Sequence, residues 1–103
     1  MEFILIHKPL GVISPEVMLR TMEQVRELLA KPDRFVPGGK LIASYGARGK
    51  SFVVCVWEAP SAEAFCSFIE HLVPAGWETD IIPAEKMSMQ VEKYLGTLKT
   101  INK

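Results

Sequence analysis

The chain has 103 residues, and its twelve basic and twelve acidic side chains cancel to a formal net charge of zero. A length near 100 residues suits one domain, and a hydrophobic content of 49% is that of an ordinary globular protein. The balanced charge provides no overall field that would attract nucleic acid, and no apolar run approaches the roughly 18 residues of a membrane span. We therefore expect a single domain over residues 1–103 that binds neither nucleic acid nor membranes.

The first predicted strand, residues 2–8, is apolar on both of its sides. Successive side chains of a strand point to opposite faces of the sheet. One face therefore receives Phe3 and Leu5, and the other receives Ile4 and Ile6. A strand that is apolar on both sides is suited to burial on both sides.

A helix follows, and its start is indicated by Ser14, Pro15 and Glu16. The serine hydroxyl can cap the free amides, and proline fits the first helical position. The helix extends to about residue 31 and is followed by a loop over residues 32–39. Four side chains at helical spacing form its predicted apolar face: Met18, Met22, Val25 and Leu29.

Two more strands and a second helix come next. Residues 40–47 and 50–58 flank a short connection with glycine that suits a β-hairpin. The second of these strands is again apolar on both faces, with Phe52, Val54 and Val56 opposite Val53, Cys55 and Trp57. The second helix is predicted over about residues 61–73, with an apolar stripe of Phe65, Phe68, Ile69 and Leu72.

The last part of the chain predicts a fourth strand, residues 77–82, and a third helix, residues 86–98. The apolar residues of this helix fall at helical spacing, while Gly96 lowers its stability. We treat residues 86–103 as a C-terminal extension. It either caps the edge of the sheet or reaches across to a partner.

The element order is therefore β-α-β-β-α-β, which is the ferredoxin-like arrangement of a four-stranded antiparallel sheet. The predicted fold class is α+β, with an extra C-terminal helix. Two helices can cover one face of such a sheet, although the other face is equally apolar. Because monomers rarely leave a large apolar patch exposed, we predict a homodimer joined through the open sheet face.

The element order, the length, the apolar open face and the C-terminal extension together resemble the dimeric α/β-barrel superfamily. The resemblance covers the whole chain and is one of pattern. In that superfamily two ferredoxin-like sheets pack face to face, and a pocket lies between sheet and helices. Its members include cofactor-free monooxygenases, lactone isomerases, haem-degrading enzymes and accessory proteins, so the resemblance implies a fold and an assembly rather than a reaction. The chain is also similar to small accessory proteins of prodigiosin-type bipyrrole biosynthesis.

His7 is the candidate for a catalytic role. It ends the first strand on the same side as Phe3 and Leu5, and an imidazole beside an apolar cleft can act as a general base near neutral pH. At the end of a strand we expect it to lose little packing on replacement by alanine. Tyr45 and Trp57 are aromatic side chains that could line a flat hydrophobic pocket together with Phe3 and Leu5, and plain packing is the alternative role for each.

Other polar residues have simpler explanations. Glu58 and Asp80 could orient His7, although surface ion pairs explain them equally well. His71 lies near the end of the second helix, where a cation suits the negative end of the dipole.

The cysteines and the termini bear on cofactors and location. Cys55 and Cys66 lie within apolar patterns, where we expect buried, reduced packing residues. No histidine, cysteine or carboxylate pair has the spacing of metal ligands, so we expect neither a metal nor a cofactor. The N-terminus lacks the regions of a signal peptide. We predict a cytoplasmic protein.

Two classes of function follow from these observations. One is a non-catalytic binder of a hydrophobic or aromatic small metabolite, such as an accessory protein of secondary-metabolite biosynthesis. The other is a cofactor-independent isomerase, cyclase or monooxygenase that holds its substrate beside His7. The first is favoured because no second acid-base group is evident. An RNA-recognition domain has the same element order, but Lys50 and Cys55 occupy positions where it needs stacking aromatics.

Overall fold

A computed structural model of the chain describes residues 1–101. The longer elements, in chain order, are β1 (Glu2–Pro9), α1 (Pro15–Ala30), β2 (Lys40–Gly46), β3 (Val53–Glu58), α2 (Cys66–Leu72), β4 (Trp77–Ala84) and α3 (Met87–Ile101). Short 3-10 turns, Pro32–Arg34 and Ala62–Phe65, precede β2 and α2. The four strands form one antiparallel sheet in the order β2-β3-β1-β4. The predicted α+β, ferredoxin-like fold with a C-terminal helix is thus confirmed.

One face of the sheet carries the hydrophobic core, and we call it the covered face. Phe3 and Leu5 of β1 lie opposite Trp57 and Cys55 of β3 on this face, and all four side chains are buried. Phe65, at the end of the second 3-10 turn, packs edge to face on Phe3 at 5.3 Å between ring centroids. Such aromatic pairs contribute beyond the apolar area that they bury, so the central strands and the segment before α2 hold the domain together.

Helix α1 packs with a face that differs slightly from the predicted one. Leu29 is exposed, whereas Thr21 and Leu28 are buried. Thr21 is tolerated on the inner face because its hydroxyl donates to the carbonyl oxygen of Val17 at 2.8 Å. The sequence prediction missed Thr21 because it assigned only apolar side chains to the inner face of the helix.

The two cysteines have different environments. Both are free thiols; Cys55 is buried, as predicted, but Cys66 is exposed, so its prediction as a packing residue was wrong. Phe65 and Phe68 mark the inner side of this segment. Position 66 lies roughly 100° around the helix from position 65 and therefore faces solvent.

The opposite face of the sheet, which we call the open face, is formed by the alternate side chains of the same strands. Its apolar part consists of Ile4, Ile6, Ala43, Tyr45, Phe52, Val54, Val56 and Ile82. The central residues of this set are half-buried, and Ile82 and Tyr45 are exposed. The covered face, by contrast, has fully buried side chains at the neighbouring positions of the same strands.

Helix α3 extends the molecule away from this two-layered body. None of its described side chains is buried, and the principal extents of the molecule are 61 × 30 × 19 Å. The Nζ atom of Lys93 donates to Oε1 of Glu85 at 2.6 Å, which ties the helix to the residues that precede it. Within residues 1–101, no helix is both long and apolar enough to span a bilayer.

Candidate functional site

A cavity of about 80 Å³ lies between the covered face and the helices α1 and α2. Its walls are mainly apolar, and the apolar side chains that line it include Val25, Leu28, Val53, Phe68, Leu72 and Trp77. A smaller set of polar groups is distributed among them: His7, Thr21, Gln24, Ser44, Cys55 and His71. An apolar cavity with a few polar groups is the usual composition of a small-molecule site.

His7 is the central polar group of this cavity. It follows Phe3 and Leu5 on the covered face of β1 and is only 6% exposed. Its Nδ1 atom lies 2.7 Å from Oγ1 of Thr79, its neighbour across the β1–β4 pairing. The ring of Phe68 meets the imidazole edge to face at 5.8 Å between centroids. The hydroxyl and the phenyl ring together hold the imidazole in one orientation.

The burial of His7 differs from the exposed strand end expected from the sequence. Strand β1 continues to Pro9, which pairs with Trp77 of β4, so His7 lies inside the strand rather than at its end. Burial lowers the pKa of the His7 imidazole to about 4, because desolvation disfavours the charged form. At neutral pH the ring is therefore uncharged.

An uncharged imidazole has one nitrogen that donates and one that accepts a hydrogen bond. Nδ1 of His7 uses the hydroxyl of Thr79, while Nε2 has no protein partner within residues 1–101. Nε2 is thus a donor or an acceptor, according to the tautomer, that remains available to a bound molecule. A general base works best with a pKa near the working pH, so the low pKa of His7 suits hydrogen bonding better than proton abstraction.

Cys55 and Ser44 form a second polar pair in the cavity wall. They face each other across β2 and β3, with 3.4 Å between the Sγ and Oγ atoms. Burial raises the pKa of the Cys55 thiol, and the hydrogen bond with Ser44 opposes that shift only in part. The thiol is therefore protonated at neutral pH, which makes it a poor nucleophile.

Trp77 closes the end of the cavity beside β1. Gly76, with φ +88°, turns the chain from α2 into β4, and its carbonyl oxygen accepts from the amide of Leu10 at 2.7 Å. A positive φ of this size favours glycine. Trp77 is 4% exposed, and its Nε1 finds no acceptor in the part of the chain that the structure describes. A buried donor without a partner costs about 1–3 kcal/mol.

The mouth of the cavity is marked by its exposed lining residues, which lie on α1, α2 and β2. Gln24 of α1 and His71 of α2 line it and are exposed. Nδ1 of His71 donates to the carbonyl oxygen of Ser67 at 2.7 Å, which leaves Nε2 as the free nitrogen of that ring. The sequence explained His71 as a helix-end residue, and its position at a mouth became visible only from the packing of α2 against the sheet.

The site residues predicted from the sequence are not brought together. His7 lines the cavity, whereas Phe3, Leu5 and Trp57 lie in the packed core beside it. Tyr45 is 72% exposed and belongs to the open face. Tyr45 lies on the open face because β2 has a β-bulge between residues 41 and 43. An extra residue in a strand moves every later side chain to the opposite face.

The residue that orients His7 is Thr79 rather than either predicted carboxylate. Asp80 lies beside Ile6, and Glu58 lies beside Glu2, so both carboxylates belong to the face of the sheet opposite to His7. Thr79 could have been found only from the register of β1 with β4, which neither strand's own sequence defines.

No group of three histidine, cysteine or acidic side chains within the described part of the chain could hold a metal ion. Comparisons of the sequence with protein-family models and with curated proteins found no match. The geometry of the cavity is therefore the basis for assigning a function.

Proposed function

We propose that this protein binds a small, neutral, hydrophobic or aromatic metabolite in the cavity between the covered face and the helices α1 and α2. The observation that carries the proposal is the free Nε2 of His7 in a mainly apolar wall. A buried polar group is costly unless it has a hydrogen-bond partner. A ligand with one donor or acceptor would supply that partner, and the apolar wall would contribute the remaining binding energy.

The size of the cavity indicates a ligand of about one ring. Voids in protein interiors rarely exceed the volume of a water molecule, and a cavity of about 150 Å³ in another protein takes benzene. The cavity here has about 80 Å³, roughly half that volume, and is open to solvent. It therefore suits a compound whose single ring enters only in part, while the rest extends toward the exposed residues Gln24 and His71.

The charge of the ligand follows from the same desolvation that acts on His7. An environment that lowers the pKa of an imidazole to about 4 also disfavours any other unpaired charge. None of the polar residues that line the cavity is a lysine, an arginine or an acidic residue. Neutral phenols, azoles and pyrroles therefore fit it better than carboxylates or amines.

We also propose that the protein is a homodimer joined through the open face. The support is the apolar composition of that face, which has no covering element within residues 1–101. Two free cysteines suit a reducing compartment and support the predicted cytoplasmic location. A non-catalytic binder of this kind is consistent with an accessory role in secondary-metabolite biosynthesis.

A cofactor-independent enzyme is the second candidate. It is favoured by the orientation of His7, which Thr79 fixes at 2.7 Å within the cavity. The low pKa of His7 and the protonated thiol of Cys55 weigh against it, because neither group is then a strong base or nucleophile. A compound extracted from cells and returned unchanged would support the binder, and its conversion to a product would support the enzyme.

The test is a saturation-transfer NMR experiment with phenol, indole, toluene and benzoate as probes. We expect transfer to the three neutral compounds and none to benzoate. Val25→Phe should fill the cavity and abolish transfer, whereas Leu19→Phe, at an exposed position of the same helix, should leave it unchanged. Absence of transfer to every neutral probe, or equal transfer in both variants, would overturn the proposal.

A second comparison tests the role of His7 within the cavity. His7→Ala should weaken the binding of phenol by about 1–3 kcal/mol, which is the loss expected for a desolvated hydrogen bond. Toluene has no donor or acceptor, so its affinity should not fall. An equal loss for both probes would show that the substitution disturbs the cavity rather than a hydrogen bond.

A further inference from the structure

Helix α3 carries an apolar stripe that nothing within residues 1–101 covers. Five of its large apolar side chains follow one another at intervals of four and three residues: Met87, Val91, Tyr94, Leu98 and Ile101. Leu95 lies beside them. They are between 43% and 70% exposed. The opposite side of the helix carries polar groups such as Glu92, Lys93 and Lys99. A helix with this pattern is built to pack on an apolar surface.

The open face is a second apolar surface that nothing within residues 1–101 covers. Its centre is formed by Ile4 and Ile6 of β1 together with Val54 and Val56 of β3. Charged side chains such as Lys8 and Glu58 stand at the two ends of this patch, and Asp80 of the edge strand β4 lies beside Ile6. The described residues therefore leave an apolar surface uncovered on a helix and another on the sheet.

The dimensions of the two surfaces match. The stripe from Met87 to Ile101 spans about 21 Å at the rise of an α-helix. Four strands with a spacing of about 4.8 Å form a sheet roughly 14–19 Å across. One α3 is thus long enough to cross the whole open face.

Helix α3 does not reach the open face of its own subunit. Two residues, Glu85 and Lys86, join it to β4, and the contact between Glu85 and Lys93 holds the first turns in place. The long axis of 61 Å, against 30 and 19 Å, shows that the helix projects from the body of the domain. A projecting helix at the end of a strand is well placed to reach a second molecule.

We propose that α3 of each subunit packs across the open face of a second copy of this chain, in a reciprocal exchange around a twofold axis. This inference rests on the proposed homodimer and specifies what covers the open face. Each helix presents on the order of 500 Å² of apolar surface. Two such contacts, counted on both partners, bury on the order of 2,000 Å², which is the size of a stable interface.

Exchange is the arrangement that covers both surfaces at once. If the two sheets packed face to face, the stripes of α3 would remain in solvent. If the two α3 helices paired with each other, the open faces would remain in solvent. A twofold exchange is self-complementary, as the interface of a symmetric dimer must be.

Sedimentation equilibrium at micromolar concentration tests the exchange. The parent chain should sediment at twice its mass of 11.5 kDa. Leu98→Glu on the stripe and Ile6→Lys on the open face should each give a monomer, whereas Lys99→Glu, on the polar side of α3, should leave the dimer intact. Circular dichroism of each variant verifies that the domain remains folded.

Mixing the two monomeric variants gives the more specific result. A subunit with Leu98→Glu still has an intact open face, and a subunit with Ile6→Lys still has an intact α3. The mixed dimer therefore has one native contact and one contact between opposite charges, so mixing should recover dimers.

The possible outcomes separate this inference from the proposed homodimer. A monomeric parent chain would contradict both. A parent dimer that persists with Leu98→Glu would overturn the exchange and leave a dimer of other geometry. The exchange would also be overturned if the Ile6→Lys variant formed dimers by itself. It would be overturned equally if no dimers formed when the two variants were mixed.

Discussion

The two faces of the sheet are made from the same four strands but differ in what they hold. On β1, Phe3, Leu5 and His7 are almost entirely buried, whereas their neighbours Ile4 and Ile6 are half-buried. The covered face is completed by helices of its own chain and encloses a cavity. The open face is apolar at its centre, carries charged side chains such as Lys8, Glu58 and Asp80 around it, and has no cover from residues 1–101. The comparison indicates that one face determines the fold and carries the candidate site, while the other is available for assembly.

The polar residues on the two faces differ in the same way. On the open face, Lys8 lies near the end of β1 and Asp80 lies within the edge strand β4, and water can reach both side chains. On the covered face, His7 is buried and forms a hydrogen bond with the half-buried Thr79. An apolar pair would fill that space at lower cost, since burial of an imidazole requires it to lose its charge. Such a local departure from good packing is typical of functional sites.

The largest difference between the faces should appear on removal of an aromatic ring. Trp57→Ala on the covered face should lower the free energy of unfolding by about 3–5 kcal/mol, because a fully buried ring leaves a cavity. Tyr45→Ala, on the open face and largely exposed, should change it by about 0.5 kcal/mol or less. Urea denaturation measures both values. Similar losses in the free energy of unfolding for the two variants would contradict the distinction between the covered face and the open face.

A smaller difference is expected between neighbouring leucines of α1. Leu28→Ala should cost about 3 kcal/mol, because Leu28 is buried against the covered face. Leu29→Ala removes a side chain that is exposed and should cost about 0.5 kcal/mol or less. Thermal melting of the two variants gives the comparison. If Leu29→Ala were the more damaging, the helix would face the sheet as first predicted from its apolar spacing.

The pH dependence of stability should report the burial of His7. Its pKa is about 4 in the folded state, compared with about 6.5 in an unfolded chain. Between these values only the unfolded state binds the proton, so the free energy of unfolding falls as pH decreases from about 6.5 to about 4. The full loss is about 3 kcal/mol, complete below pH 4 and absent above pH 6.5.

His7→Gln is the control for this effect, because glutamine keeps a polar side chain without a proton equilibrium in this range. Subtracting its pH profile from that of the parent removes the contribution of the carboxylates. Denaturant melts at several pH values give both profiles. Identical slopes between pH 4 and 6.5 would mean that His7 is exposed in solution.

Periodicity predicted most of the fold but only one residue of the candidate site. The strands and helices followed from alternation and helical spacing, and His7 followed from its parity with Phe3. Thr79 depends on the pairing between two distant strands, and Tyr45 changed face because of a bulge. Both features arise from contacts across the sheet, which the sequence of a single strand does not contain. The environment of His71 likewise depends on how α2 packs.

The most direct test of the account is an NMR titration of the protein with phenol, in which the signals of His7 and Tyr45 are followed together. These residues lie on opposite faces of the same sheet. The account predicts that the side-chain signals of His7 shift in a saturable manner, while those of Tyr45 do not move. Saturable shifts at Tyr45 with none at His7 would contradict it, because the ligand would then bind the open face.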